Sequence, residues 1–226
     1  MIEVEELLNK LNIVPNNIDL YNQAFIHTSY AYENNLDYSY ETLEFLGDAF
    51  LELIISDYLY KENKFQEGEM TKVRASYVCE NALYEYASDM GFSKYVMLGK
   101  GEVNTGGSHK KAILADIFEA FVAAIYLDLG FDKAKQIALD IIVPYIKDKE
   151  VLFFSDYKSE LQEAVQDVQR ELSYELINES GPAHDKKFEM AVKIDDIVYG
   201  TGEGHTKKEA EQEAAKSALK KLVKDN

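Results

Sequence analysis

The feature that most restricts the fold of this 226-residue chain is a pair of almost entirely apolar segments that each carry a few acids. At about 100° per residue, the acids of each segment project from one side of a helix while apolar side chains cover most of the rest. We expect both helices inside the fold, where a carboxylate is costly unless it is paired or bound to a cation. The acids are Glu41, Glu44, Asp48 and Glu52 in segment 41–55, and Asp116 and Glu119 in segment 112–127.

If the acidic sides of these helices meet, at least four carboxylates converge, and neither segment contains a basic residue to neutralise them. The natural counter-charge is a divalent cation, and ligation by oxygen alone selects Mg²⁺ or Mn²⁺ over zinc or copper. A di-iron site would need Glu-x-x-His on two helices, and no histidine stands three residues after a glutamate. The alternative is an ordinary solvated stripe, of which Glu52, at the edge, is the member expected to be most exposed.

Composition narrows the class of protein. The acidic N-terminus and the absence of a long uninterrupted apolar run predict no signal peptide and no membrane span. A single cysteine, Cys79, fits a reducing compartment, so we expect a cytoplasmic protein, and we read the residue as part of the core. The formal net charge of −17 argues by itself against nucleic acid, but it divides unevenly, with −13 in residues 1–156 and −4 in residues 157–226.

Hydrophobic periodicity predicts an all-α N-terminal domain over residues 1–148. A lone histidine, His27, near the end of the second helix is expected to pack or to cap rather than to bind a ligand. A glycine-rich stretch at residues 99–109 is predicted to be a long loop next to the acidic helices. The predicted helices span residues 3–12, 18–31, 41–55, 69–90, 112–127 and 132–146.

After a linker at residues 149–156, the pattern changes to a small α+β domain over residues 157–226 with the order α-β-β-β-α. We predict helices at 159–171 and 207–223 and strands at 174–178, 188–195 and 198–204, with both helices on one face of the sheet. Lys207 and Lys208 at a helix start, and the turn that ends in His184, suggest a polyanion. Double-stranded RNA is the polyanion that such a domain reads by shape.

These motifs resemble those of bacterial ribonuclease III over essentially the whole chain. The N-terminal part matches in Glu41-Thr-Leu-Glu-Phe-Leu-Gly-Asp-Ala, in 99–107 and in 113–120; the C-terminal part resembles a double-stranded-RNA-binding domain in 157–163, 181–184 and 206–210. The resemblance implies a homodimeric, Mg²⁺-dependent endonuclease, with Mn²⁺ a possible substitute, that cuts both strands of RNA duplexes. It implies 5′-phosphate and 3′-hydroxyl ends with short 3′ overhangs, and a role in processing ribosomal RNA precursors and other structured RNAs.

Carried over by position, the resemblance assigns roles to particular residues. It makes Glu44, Asp48, Asp116 and Glu119 the metal-binding acids, with Asp48 and Glu119 catalytic. Glu41 and Glu67 match auxiliary acids of less certain role. The RNA contacts would be Gln162, Gln166, His184, Lys207 and Lys208. One departure is Glu211, which stands where many such domains have a further basic residue and which puts RNA affinity in question.

The rival interpretation is a protein of the same fold that binds duplex RNA without cutting it. The presence of all four metal acids favours the nuclease, because a degenerate homologue is expected to have lost at least one. A purely structural helical protein is a third alternative, although nothing structural requires this acid pattern. We expect neither a membrane partner nor a DNA partner.

Overall fold

A computed structural model of the chain describes residues 4–62, 66–148, 157–166, 170–182 and 186–224. The chain divides into two compact units, residues 1–154 and 155–226. The predicted linker at 149–156 lies outside the described residues, so its boundaries stay a prediction. In the part of the chain that the structure describes, no helix has both the length and the apolar character needed to cross a membrane.

The described part of the first unit is helical, as the periodicity predicted, with two short 3₁₀ turns at Phe92–Lys94 and Gly107–His109. Its α-helices are α1 (Val4–Lys10), α2 (Ile18–Ala24), α3 (Thr28–Glu33), α4 (Glu41–Glu62), α5 (Glu67–Tyr77), α6 (Glu80–Asp89), α7 (Lys100–Asn104), α8 (Lys111–Leu129) and α9 (Phe131–Lys147).

Helix α8 forms the centre of this unit, because it packs against α2, α4, α6 and α9. Its apolar residues from Ile113 to Ile125 are buried, as expected for a helix that is apolar on most sides. Phe121 is fully buried and meets Phe25 and Phe92 at ring-centroid distances of 6.0 and 5.1 Å. At the end of α8, the Asp128 carboxylate accepts hydrogen bonds from the Asn17 N–H at 2.8 Å and the Tyr21 hydroxyl at 2.9 Å, which fixes α2 against α8.

Two predicted helices are each divided in the structure. Residues 18–31 form α2 and α3, because the chain between them turns aside to bond Met97: the Met97 N–H donates to Phe25 at 2.8 Å and the His27 N–H donates to Met97 at 3.0 Å. His27 then caps α3, its Nδ1 accepting from the Ser29 N–H at 3.1 Å, as expected for this histidine.

Residues 69–90 likewise form α5 and α6, which Val78 and Cys79 separate. Cys79 is partly buried at this helix junction and packs against the core of the unit, with its thiol 3.4 Å from the Ser76 carbonyl oxygen. The predicted loop at 99–109 contains the short helix α7 and a 3₁₀ turn.

Helix α4 corrects the expectation of burial on nearly every side. Phe50 is 5% exposed, but Phe45 is 81% exposed and Leu53 is 55% exposed. Contrary to the expectation, Glu52 is not the most exposed of the four acids, because it is partly buried while Glu41 and Asp48 are exposed. It pairs with Arg74 of α5, Nε to Oε2 at 2.9 Å. One side of α4 therefore presents apolar residues to solvent.

The second unit has the predicted α-β-β-β-α order. Its elements are α10 (Tyr157–Gln166), β1 (Leu172–Ser180), β2 (Lys187–Ile194), β3 (Ile197–Gly204) and α11 (Lys207–Lys224). The sheet is antiparallel in the order β1-β2-β3, and Met190 of β2 lies opposite Leu176 of β1 and Gly202 of β3.

The core of this unit joins both helices to the sheet. Val192 and Ile194 of β2 pack with Leu161 of α10 and Ala214 of α11, and all four are fully buried. Glycine on β3 allows the closest approach: a Cβ added to Gly202 would lie 2.2 Å from the Ala214 nitrogen. Helix α11 therefore rests directly on the backbone of β3.

Candidate metal centre

The candidate site lies where α4 crosses α8, and a glycine sets the spacing of these two helices. A Cβ added to Gly47 of α4 would lie 2.0 Å from the carbonyl oxygen of Glu119 and 2.5 Å from its carbonyl carbon. No side chain fits in that space, so the two helix backbones touch at this level. The contact places the acids of α4 beside those of α8.

Three of the predicted metal acids converge at this crossing. Glu44, Asp116 and Glu119 each place one carboxylate oxygen within 4.8 Å of the other two. All three residues are partly buried. Asp48, one turn beyond Glu44 on α4, is exposed and does not belong to this group of three. It is nevertheless close enough for its charge to act on Glu44 and Glu119.

The electrostatics of the cluster favour protonation as long as no cation is present. Burial, followed by the charges of Asp48, Glu44 and Asp116, raises the pKa of Glu119 to about 8. Burial and the neighbouring acids raise the pKa of Glu44 to about 6. Like charges in a partly desolvated site disfavour ionisation. A divalent cation would remove that penalty, so these residues suit a hard metal ion with oxygen ligands.

A tyrosine supports the third acid of the cluster. The hydroxyl of Tyr40, the residue before α4, donates to Oδ2 of Asp116 at 3.0 Å. Burial raises the pKa of Asp116, and this hydrogen bond opposes the rise. Burial also raises the pKa of Tyr40 far above neutrality, so its hydroxyl keeps its proton and remains a donor.

The two predicted auxiliary acids lie apart from this group of three. Glu41, at the start of α4, is exposed, and its charge contributes to the raised pKa of Glu44. Glu67, the first residue of α5, lines a cavity of about 450 Å³ between α4 and α5, together with Leu53, Tyr60 and Arg74. The described contacts of Glu67 do not join it to the acid cluster.

The predicted RNA contacts are at the surface of the second unit, apart from His184, which lies outside the described residues. Gln162 and Gln166 are exposed and, four residues apart on α10, lie on the same side of that helix. Lys207 and Lys208 are exposed in the first turn of α11, where their charge opposes the helix dipole unless an anion is present.

Glu211, the residue that departs from the expected basic pattern, pairs with a lysine of the other helix. The Lys158 ammonium of α10 donates to Oε2 of Glu211 at 2.5 Å. The same ammonium lies 4.8 Å from the ring centroid of Tyr174. Glu211 therefore neutralises a positive charge of its own domain.

The sequence interpretation missed two residues that shape the cluster, Gly47 and Tyr40. Gly47 carried a signal, because glycine inside a helix is about 1 kcal/mol less favourable than alanine and so points to a close contact. Tyr40 carried none, since its position one residue before a predicted helix does not reveal a hydrogen bond to a residue 76 positions away.

Both parts of the chain are similar to known protein families. Residues 17–146 match the family described as ribonuclease-III-like, and residues 157–222 match the double-stranded RNA binding motif. The chain is 45% identical over 225 residues to Ribonuclease 3 of Onion yellows phytoplasma (strain OY-M), which covers 99% of this chain and 93% of that protein. It is 46% identical over 227 residues to Ribonuclease 3 of Listeria monocytogenes serovar 1/2a, which covers 99% of each.

A solved structure matches the first unit. The nuclease domain of ribonuclease III from Campylobacter jejuni superposes with a TM-score of 0.59 at 35% sequence identity, and the match covers 63% of this chain and 97% of that one. The description of that structure refers to flexibility in a region involved in dimer formation of the Campylobacter domain.

Proposed function

Since the chain belongs to the ribonuclease III family of endoribonucleases that act on double-stranded RNA, we propose that it hydrolyses both strands of RNA duplexes with Mg²⁺ held by four acids. The observation that carries the proposal is the convergence of Glu44, Asp116 and Glu119 within 4.8 Å. Asp48 is the fourth acid, because its charge acts on two of the three. Mn²⁺, which takes similar oxygen ligands, is expected to substitute.

The role of the protein residues follows from their burial and charge. Glu44, Asp116 and Glu119, which are partly buried at the crossing of α4 and α8, would hold the ion together with the exposed Asp48. Asp48 and Glu119 are the proposed catalytic acids. A bound Mg²⁺ would supply a water of lowered pKa as nucleophile and would stabilise charge on the leaving 3′ oxygen. Cleavage of this kind leaves a 5′-phosphate and a 3′-hydroxyl, and cuts offset on the two strands leave short 3′ overhangs.

The second unit holds the duplex. Its exposed Gln162, Gln166, Lys207 and Lys208, with His184, are the proposed contacts to phosphates and 2′-hydroxyls, which such domains read across two minor grooves. Glu41 and Glu67 are proposed as auxiliary acids. Because A-form geometry and 2′-hydroxyls define the target, we expect no activity on DNA. Precursors of ribosomal RNA and other structured RNAs, in the cytoplasm, are the proposed substrates.

We also propose that the nuclease unit forms a homodimer through the exposed side of α4. Phe45, Leu53 and Tyr60 are 81, 55 and 74% exposed, and their spacing places them on one side of the helix, beside the cavity between α4 and α5. Large apolar side chains exposed together on one side of a helix are typical of a protein interface. Sedimentation equilibrium of the full chain should give twice the 25.8 kDa of one chain, and Phe45→Asp should shift it toward the monomer. A monomeric active species would contradict the dimer.

The nuclease itself is tested with a labelled RNA duplex, incubated with Mg²⁺ or with EDTA, and with Glu119→Gln as the site variant. The control variant is Glu85→Gln, which changes an exposed glutamate of α6. We expect discrete Mg²⁺-dependent products from wild type and Glu85→Gln only, with duplex binding retained by Glu119→Gln. A mobility shift without products from the wild type would instead indicate a non-cleaving RNA-binding protein, and cutting by Glu119→Gln would refute the acid site.

A further inference from the structure

Tyr40 makes a partly buried hydrogen bond to the acid cluster, although it is neither acidic nor within either acidic segment. Its side chain is almost completely buried, with 5% of the residue exposed. Its hydroxyl donates to Oδ2 of Asp116 at 3.0 Å, across 76 positions of sequence. Because a buried hydroxyl needs a partner, the bond explains why a tyrosine is tolerated there, but it leaves open what the tyrosine does for Asp116.

The backbone and ring of Tyr40 are fixed independently of Asp116. Its N–H donates to the Ile26 carbonyl at 2.9 Å, and its own carbonyl accepts from the Leu43 and Glu44 N–H groups, both at 2.9 Å. Its ring packs against the ring of His27, with centroids 5.7 Å apart. The hydroxyl is therefore presented to Asp116 from a position that the start of α4 and the break between α2 and α3 define together.

A neutral donor suits this place better than a charged one. A carboxylate has about four lone-pair positions on its two oxygens, so one hydrogen bond leaves Asp116 able to bind a cation. A lysine or arginine in the place of Tyr40 would also orient the carboxylate, but its positive charge would repel the incoming ion. The phenol orients Asp116 and adds no charge.

We infer that Tyr40 is a positioning residue for the metal site, which it serves by holding the Asp116 carboxylate in place before a divalent cation binds. This inference rests on the proposed function, because it requires that the acid cluster bind a metal. A residue that hydrogen-bonds a metal ligand, when replaced, typically weakens metal binding by about 10- to 100-fold. We expect about tenfold for Tyr40→Phe, since only one of several acids loses its support.

The test compares Tyr40→Phe with Tyr21→Phe in the full-length protein. Both substitutions remove one hydroxyl that donates to an aspartate, at 3.0 Å in one case and 2.9 Å in the other, and both tyrosines are buried. Tyr21 bonds Asp128 at the end of α8 and touches none of the proposed metal acids. Mn²⁺ binding is measured in the absence of RNA from the electron paramagnetic resonance signal of free Mn²⁺. The variant Glu119→Gln identifies which part of the binding belongs to the acid cluster.

The expected result is an Mn²⁺ dissociation constant about tenfold higher in Tyr40→Phe and unchanged in Tyr21→Phe, with similar thermal midpoints for the two variants. In cleavage assays, Tyr40→Phe should need more Mn²⁺ for half-maximal rate and should keep the wild-type KM for the duplex. Equal Mn²⁺ affinity in Tyr40→Phe and wild type would overturn the inference and leave the metal site intact. If the wild type bound no Mn²⁺, or if Glu119→Gln bound it as tightly as the wild type, the metal site would be refuted, and with it any role for Tyr40.

Discussion

The two units place their functional residues in opposite ways. In the nuclease unit, acids lie at a helix crossing where Gly47 brings two backbones into contact, and burial raises the pKa of Glu119 to about 8. In the RNA-binding unit, the proposed contacts are exposed on α10 and α11, and none of those described lies in the core. A site inside a crossing depends on the spacing of the helices, whereas surface contacts contribute separately. A single substitution at the helix crossing should therefore impair the whole metal site, whereas each substitution at the RNA-binding surface should change RNA affinity only slightly.

The largest effect is expected from Gly47→Ala, which forces α4 and α8 apart because its Cβ would lie 2.0 Å from the Glu119 oxygen. Overpacking of this kind costs about 1–3 kcal/mol of stability. Displacing the acids by about 1 Å should lower the cleavage rate by about 100-fold. Thermal unfolding, Mn²⁺ binding and duplex cleavage measure the three consequences.

Gly202→Ala is the matched control, since its Cβ would meet the Ala214 nitrogen at 2.2 Å in the other unit. This variant should weaken duplex binding and lower the stability of the RNA-binding unit, while Mn²⁺ binding remains at the wild-type level. If Gly47→Ala also kept wild-type Mn²⁺ binding, the helix contact would not control the site, and the contrast between the units would fail.

The next effect concerns pH. Metal binding must displace the proton from Glu119, so between pH of about 6 and about 8 the Mn²⁺ affinity should rise about tenfold for each pH unit. Below pH of about 6 the rise should be steeper, because Glu44 also carries a proton there. The metal-free protein should show the reverse trend in stability. Glu119 and Glu44 have pKa values raised from 4.5 to about 8 and about 6, so their contribution to stability is complete below pH 4.5 and is lost as pH rises through these values.

Calorimetry and thermal melts between pH 5 and 8.5 separate these trends. Subtracting the thermal midpoints of Glu119→Gln from those of the wild type at each pH isolates the contribution of this carboxyl. A difference that does not change with pH would mean that Glu119 is not the group that takes up the proton.

The crossing of α4 and α8 was predictable in part, because both apolar segments must be buried and a shared cation would offset the cost of burying their acids. The exposure of Phe45 could not be predicted. A helix face that contacts a partner protein and a helix face that contacts the chain's own core show the same apolar pattern in the sequence. Only the structure shows that Phe50 and Phe121 lie in the core while Phe45 does not.

The helix breaks escaped prediction for a different reason. Periodicity continues through Phe25–His27 and through Cys79, and the first of these two breaks comes from bonds to the distant residue Met97. In the second unit, the alternation of Met190, Val192 and Ile194 was enough to place β2, because a two-layer unit leaves each strand one inner face. Local pattern determined the second unit more fully than the first.

The smallest effects are expected at the RNA-binding surface, where two substitutions on α11 should act with opposite sign. Lys208→Ala should weaken duplex binding several-fold and should reduce the slope of log affinity against log salt by about 1. Glu211→Gln removes the charge that pairs with Lys158 at 2.5 Å, so it should strengthen binding by about 2- to 5-fold.

Filter binding of a labelled duplex from 50 to 200 mM KCl, in EDTA to prevent cleavage, measures both variants. Both variants should leave Mn²⁺ binding unchanged, because the acids of the metal site lie in the other unit. Weaker binding by Glu211→Gln would mean that its pair with Lys158 orders the domain more than it masks charge.

The single thiol of the chain can be used to measure the rate of local opening of the helices. Cys79 is the only cysteine, and it stands partly buried between α5 and α6. The rate at which an alkylating reagent modifies it under native conditions reports how often this junction opens, which can differ from the rate of global unfolding. Arg74 of α5 pairs with Glu52 of α4, so the same rate should also depend on the stability of the contact between α5 and the helix that carries the acids. No label or added cysteine is needed to follow it.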